Sequence, residues 1–106
     1  MIYTDTSGNF TAAANISAYS DARLKTDVKT IENALELISS VRGVYYKRID
    51  TEENGIGVIA QEVQKVFPEA VHNNDGTLSV AYGNLVGPLI EAVKELSARV
   101  KELEAR

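Results

Sequence analysis

Cysteine and tryptophan are absent from this chain of 106 residues, proline occurs twice and histidine once. Without cysteine there is no disulfide framework, no thiolate metal site and no thiol nucleophile. The lone His72 leaves a metal centre short of ligands, so neither a metal nor a cofactor is expected. No apolar run approaches the roughly 20 residues of a membrane span, and the uncharged run 83–90 is interrupted by Gly87 and Pro88. The opening residues lack the basic-then-apolar order of a secretory signal. A basic excess is missing as well. Lys and Arg total 11 against 15 Asp and Glu, a net charge of −4, which argues against nucleic acid or an anionic membrane as partner. What is present, 44% hydrophobic and 25% charged residues, is ordinary globular usage.

Charge is also distributed unevenly. Asp5 is the sole charged residue before Asp21, and all other Asp, Glu, Lys and Arg side chains follow it. Residues 1–19 are rich in Thr, Ala, Asn and Gly with scattered apolar residues, a composition for short strands joined by a turn at Ser7-Gly8-Asn9. Such a segment cannot bury a core alone and reads as the end of an upstream β-rich body.

The second region, 20–106, carries conventional signals. Thr30 can cap a helix whose face is Ile31, Ala34, Leu35, Ile38 and Val41, with Gly43 as its stop. Val44–Ile49 and Ile56–Ile59 flank the polar Asp50–Gly55, which fits a hairpin with Asp50, Glu52 and Glu53 in a solvated loop. Tyr45 and Tyr46 fall on opposite faces of its first strand, one for the core and one for a neighbouring chain or stalk. Val63, Val66 and Phe67 share a helical face that Pro68 ends. Asn73-Asn74-Asp75-Gly76 is a turn between two further short strands. Gly57 suits a close backbone approach, Gln61 and Glu62 suit capping or hydrogen bonding, and His72 suits the surface.

The last stretch is a heptad. Val86, Leu89, Val93, Leu96, Val100 and Leu103 alternate spacings of 3 and 4, the a and d positions of a coiled-coil seam over about 85–106. Arg99 at g and Glu104 at the following e match an ion pair between parallel chains, and Val at a with Leu at d leans towards dimers. The alternative is an amphipathic helix packed on its own domain.

Ser20-Asp21-Ala22-Arg23-Leu24-Lys25 sets a hydroxyl and an amine five residues apart. A neutral lysine can take a serine proton and free the oxygen to attack a carbonyl, and burial or a nearby cation such as Arg23 promotes the neutral amine. Asp21 and Asp27 oppose this. On a helix the two positions diverge by about 140°, so the pair requires a turn, a loop or a partner chain. The bland alternative is a capping serine and a solvated lysine.

This hexapeptide belongs to a set of four blocks. The others are Ile31 with Ala34-Leu35 through Gly43-Val44-Tyr45-Tyr46, Gly57–Val63 with Phe67–Val71, and Val80, Tyr82, Leu85 with Leu89–Leu96. In order and spacing the set resembles the intramolecular chaperone domain at the C-terminus of bacteriophage tail spikes, tail fibres and neck appendages. That is the S74 peptidase family, related also to the self-cleaving region of the myelin regulatory factor. The resemblance spans about three quarters of the chain and excludes residues 1–19.

The resemblance implies a homotrimer that templates the upstream stalk and then cuts itself off in the host cell cytoplasm, leaving the fibre in the virion tail. It makes Ser20 the nucleophile, Lys25 the general base and Tyr19–Ser20 the scissile bond. A permanent, non-catalytic trimerisation cap is the alternative. The expected fold is α+β: a small helix and hairpin domain with a long C-terminal coiled-coil helix, trimeric by resemblance.

Overall fold

The computed structural model describes residues 2–4 and 8–106. The weakly charged N-terminal segment forms one antiparallel pair, β1 (Ile2–Thr4) with β2 (Phe10–Ala12), Tyr3 opposite Thr11. Of the turn expected at Ser7-Gly8-Asn9, Ser7 lies outside the described residues, while Gly8 has a left-handed φ of 83°. Residues 13–21 then run without helix or strand, exposed throughout, into a single 3₁₀ turn at Ala22–Leu24.

The first α-helix differs from its expected start. α1 spans Ala34–Ser39, not a run from Thr30, because Asn33 sits in the left-handed region at φ 55° and breaks the helix there. Ile31 instead reaches over Gly87. The cap comes from far along the chain: the Glu95 carboxylate accepts from the Ala34 and Leu35 amides at 2.8 and 3.2 Å. Two of the orphan N–H groups of the first turn are thereby satisfied. At the other end α1 stops well before Gly43, its last carbonyls taken by the amides of Ser40 and Val41.

Two hairpins follow at the expected places. β3 (Val44–Lys47) pairs with β4 (Asn54–Gly57), and β5 (Val71–Asn74) with β6 (Thr77–Val80). The second closes through Asp75 and Gly76, both at positive φ, the two-residue turn whose twist matches the strands, and the Asn73 side chain accepts from the Gly76 amide at 2.7 Å. Between the hairpins α2 (Ala60–Val66) ends at Phe67 before Pro68. Val63, Phe67 and Ala70 form the core, with Leu37, Ile38, Val41, Val58 and Leu85 packed around it. The Tyr82 hydroxyl lies over Gly57, where a Cβ would stand, and accepts from the Val58 amide at 3.2 Å. Neither Tyr45 nor Tyr46 enters the core. They are 87% and 43% exposed, and Tyr46 lies over Gly55 across the strands.

Glu62 bonds as expected, to Arg42, with 2.6 Å between its Oε2 and the guanidinium, tying the end of the α1 segment to α2. Hydrogen bonding from the Arg42 side chain holds the Glu62 carboxyl below its ordinary value. With the folded value the lower one, this contribution is complete above about pH 4.5 and is lost as pH falls further. Urea midpoints between about pH 6 and about pH 3 are therefore expected to drop more steeply for the parent than for Glu62→Gln. Equal slopes would show that the pair does not matter to folding.

The chain closes with α3 (Val86–Glu104), in which Pro88 falls in the first turn, where no N–H is needed. Ala92 and Pro88 are buried, and Ala92, with Glu95 one turn further on, marks the face packed on α1. The molecule is an α+β fold drawn out by this helix. Its radius of gyration is 17.2 Å, against roughly 13 Å for a compact chain of this length. Its 9157 Å² of accessible surface stands against roughly 5,800 Å² for a compact monomer of this mass. Replacing Glu95 by Ala, which removes the α1 cap, is expected to cost about 1–2 kcal/mol in chemical denaturation, and a midpoint unchanged from the parent would refute the cap.

Candidate active site

The Ser-x4-Lys pair meets. Lys25 Nζ donates to Ser20 Oγ at 2.6 Å, with both side chains on one side of the 3₁₀ turn. Asp21 before that turn and Lys25 after it are both extended, at φ/ψ of −67°/134° and −123°/145°. The helical divergence never arises, because one tight turn reverses the chain between two extended arms. Its rungs are the Leu24 amide on the Asp21 carbonyl at 3.0 Å and the Lys25 amide on the Ala22 carbonyl at 3.1 Å.

Asp21 caps the same turn. Its Oδ1 accepts from the Arg23 amide at 2.9 Å. The guanidinium then folds back on that carboxylate, Nε to Oδ1 at 3.1 Å and Nη2 to Oδ2 at 2.8 Å. The Arg23 side-chain bonds, then its backbone bond, hold the Asp21 carboxyl below the usual range, so the clasp is ionised at neutral pH. Arg23 was read from the sequence as a cation acting on Lys25, but it is committed to Asp21 because the fork fits a carboxylate bidentately. Tyr19, whose carbonyl precedes Ser20, is 95% exposed and lines an open hollow with Asp21, Arg23 and Leu24.

The expected seam residues form a stripe along α3. Val86, Leu89, Val93, Leu96, Val100 and Leu103 are each between 46% and 65% exposed. The helix therefore packs on its own domain through a different face, that of Ala92 and Glu95. An apolar groove between Ile38, Val41, Val58, Phe67 and Leu85 opens onto the stripe at Leu89. Among the described residues, Arg99 and Glu104 form no ion pair. His72 is exposed, as are Asp50, which pairs with Arg48 at 2.7 Å, and Glu52 and Glu53. The capping role of Glu95 is not marked by any motif in the sequence. Its only signal is a carboxylate on the α3 face away from the seam.

A sequence profile for the chaperone of endosialidase, the S74 peptidase family, matches residues 20–72. Long tail fiber protein Gp37 of Enterobacteria phage K3 is 40% identical over 104 residues, which cover 89% of this chain and 8% of the phage protein. Gp37 of Enterobacteria phage T2 gives the same figures. Gp37 of Salmonella phage S16 is 32% identical over 98 residues, 84% of this chain and 13% of its own length. The chain thus spans about a twelfth of the first two relatives. Its profile match begins at the serine that Lys25 contacts, and by that match the chain belongs to the S74 family of endosialidase chaperones.

Proposed function

We propose that the chain is a self-cleaving intramolecular chaperone of a phage tail fibre, cut once between Tyr19 and Ser20. The observation that carries this reading is the 2.6 Å contact between Lys25 Nζ and Ser20 Oγ. With the amine neutral the contact reverses, and the Ser20 hydroxyl donates to Nζ. As Oγ attacks the Tyr19 carbonyl carbon, its proton passes to Lys25. The Tyr19–Ser20 C–N bond then breaks, and the Lys25 ammonium returns the proton to the departing Ser20 nitrogen. The result is an ester between Tyr19 and Ser20, which water hydrolyses to a Tyr19 carboxylate and a free Ser20 hydroxyl. Nucleophile and carbonyl belong to adjacent residues, so no association entropy opposes their meeting.

Assembly precedes the cut. Three copies joined along the α3 stripe form a homotrimer, by likeness to the family. A trimer sets three upstream chains in register, which lowers the entropy of starting an intertwined stalk. The Gp37 relatives are fibre proteins of phage tails. By analogy the work is done in the host cell cytoplasm and the fibre stays in the virion tail. The full exposure of the Ser20–Lys25 stretch favours the other reading, a permanent cap in which the pair is inert. Lys25→Arg decides: arginine stays charged near neutral pH and cannot accept the serine proton. The fragment of residues 20–106 is expected to vanish from gels of Lys25→Arg, and its appearance at the parent rate would exclude Lys25 as the base.

A further inference from the structure

We propose that Asp21 and Arg23 are positioning residues which, clasped to each other, set the turn that presents Lys25 to Ser20. This rests on the dyad reading above and adds two residues to it. Ser20 and Lys25 are joined by a single 2.6 Å contact between exposed side chains, and no core packing holds either one. The order of this stretch must come from the stretch itself. Ala22–Leu24 is a turn of three residues, too short to persist on its two backbone rungs in water.

The clasp supplies the remainder. One carboxylate takes the turn's Arg23 amide and the Nε/Nη2 edge of the Arg23 guanidinium, so residues 21 and 23 are fixed by three bonds across the turn. The positions on either side, 20 and 25, are then brought to the same flank. An exposed ion pair adds little to global stability. Here it biases one local turn, and a misplacement of about 1 Å in a reacting pair can cost 100-fold in rate. Its effect falls on cutting, while melting stays as it was.

The test measures the rate at which the fragment of residues 20–106 appears from the full chain, for the parent, Asp21→Ala, Arg23→Gln and the double variant. In the non-cutting Ser20→Ala background, the nuclear Overhauser contact between the β-methyl at position 20 and the Lys25 ε-methylene is followed without further change, with Asp21→Ala and with Arg23→Gln. Each single substitution is expected to slow cutting on the order of tenfold. The double variant should be no slower than the slower single, because the two act as one unit. The Overhauser contact should be lost, with melting temperature and sedimentation unmoved. Asp21→Ala cutting at the parent rate overturns the proposal. So does an Arg23→Gln chain that is slowed while the contact persists, since the guanidinium would then be acting on the carbonyl itself. Cutting by Ser20→Ala would instead bring down the dyad reading. The Overhauser contact still decides whether the clasp holds positions 20 and 25 together.

Discussion

In a mass spectrum Ser20→Ala is expected to give one intact chain of 106 residues, and the parent is expected to give a piece ending at Tyr19 and a piece of residues 20–106. The substitution removes the hydroxyl oxygen to which Lys25 Nζ donates. The loss in rate is on the order of 10⁶-fold, the scale on which a serine nucleophile is missed. Folding is untouched, because Ser20 is exposed and fills no part of the core. The variant should therefore sediment and melt like the uncut parent. A residue-20 fragment from Ser20→Ala would show that the chemistry lies elsewhere. A parent that never divides, with sound folding, would leave the permanent cap standing.

The second large effect concerns the α3 stripe. Leu96→Asp with Val100→Asp puts two carboxylates per chain into the proposed seam, and desolvating an unpaired charge costs several kcal/mol per ion. Both positions are half exposed in the single chain, so the variant loses its partners without losing its own core. Sedimentation is expected to show monomers, and the Tyr19–Ser20 bond should stay whole. The second outcome does not follow from distance, since the serine and lysine already touch within one chain. It follows from exposure: the Ser20–Lys25 stretch lies open to water in the single chain, and the proposed assembly would set neighbouring chains against it. Folded monomers that cut at the parent rate would refute gating by assembly.

What could be read in the sequence was local or periodic. Asp75-Gly76 announced its hairpin through the residues its turn demands, Pro68 marked the end of α2, and the heptad of α3 named the stripe that the structure leaves uncovered. Ser20 and Lys25 were legible as a pair but not as a geometry. Helical arithmetic separates them, whereas the chain takes a 3₁₀ turn between two extended residues there and the pair meets. The start of α1 was illegible for a different reason. Thr30 looks like a cap, yet the groups that order that helix are a left-handed Asn33 and a carboxylate 61 residues downstream. The core place expected for one of Tyr45 and Tyr46 is not taken, because alternation along a strand says which faces exist and not whether anything lies on them.

The same Glu95 bridge fixes an order of events during synthesis. A helix of six residues does not survive alone in water, and α1 has no cap of its own to lengthen its life. On a nascent chain emerging from the ribosome, the segment around Ala34 must wait, unformed, until residue 95 has been made and α3 has wound far enough to present its carboxylate. By then everything upstream, including the Tyr19–Ser20 bond, has long been exposed. The head is thus completed from its last helix backwards. A ribosome that stalls before residue 95 releases a chain whose first α-helix has nothing to start it.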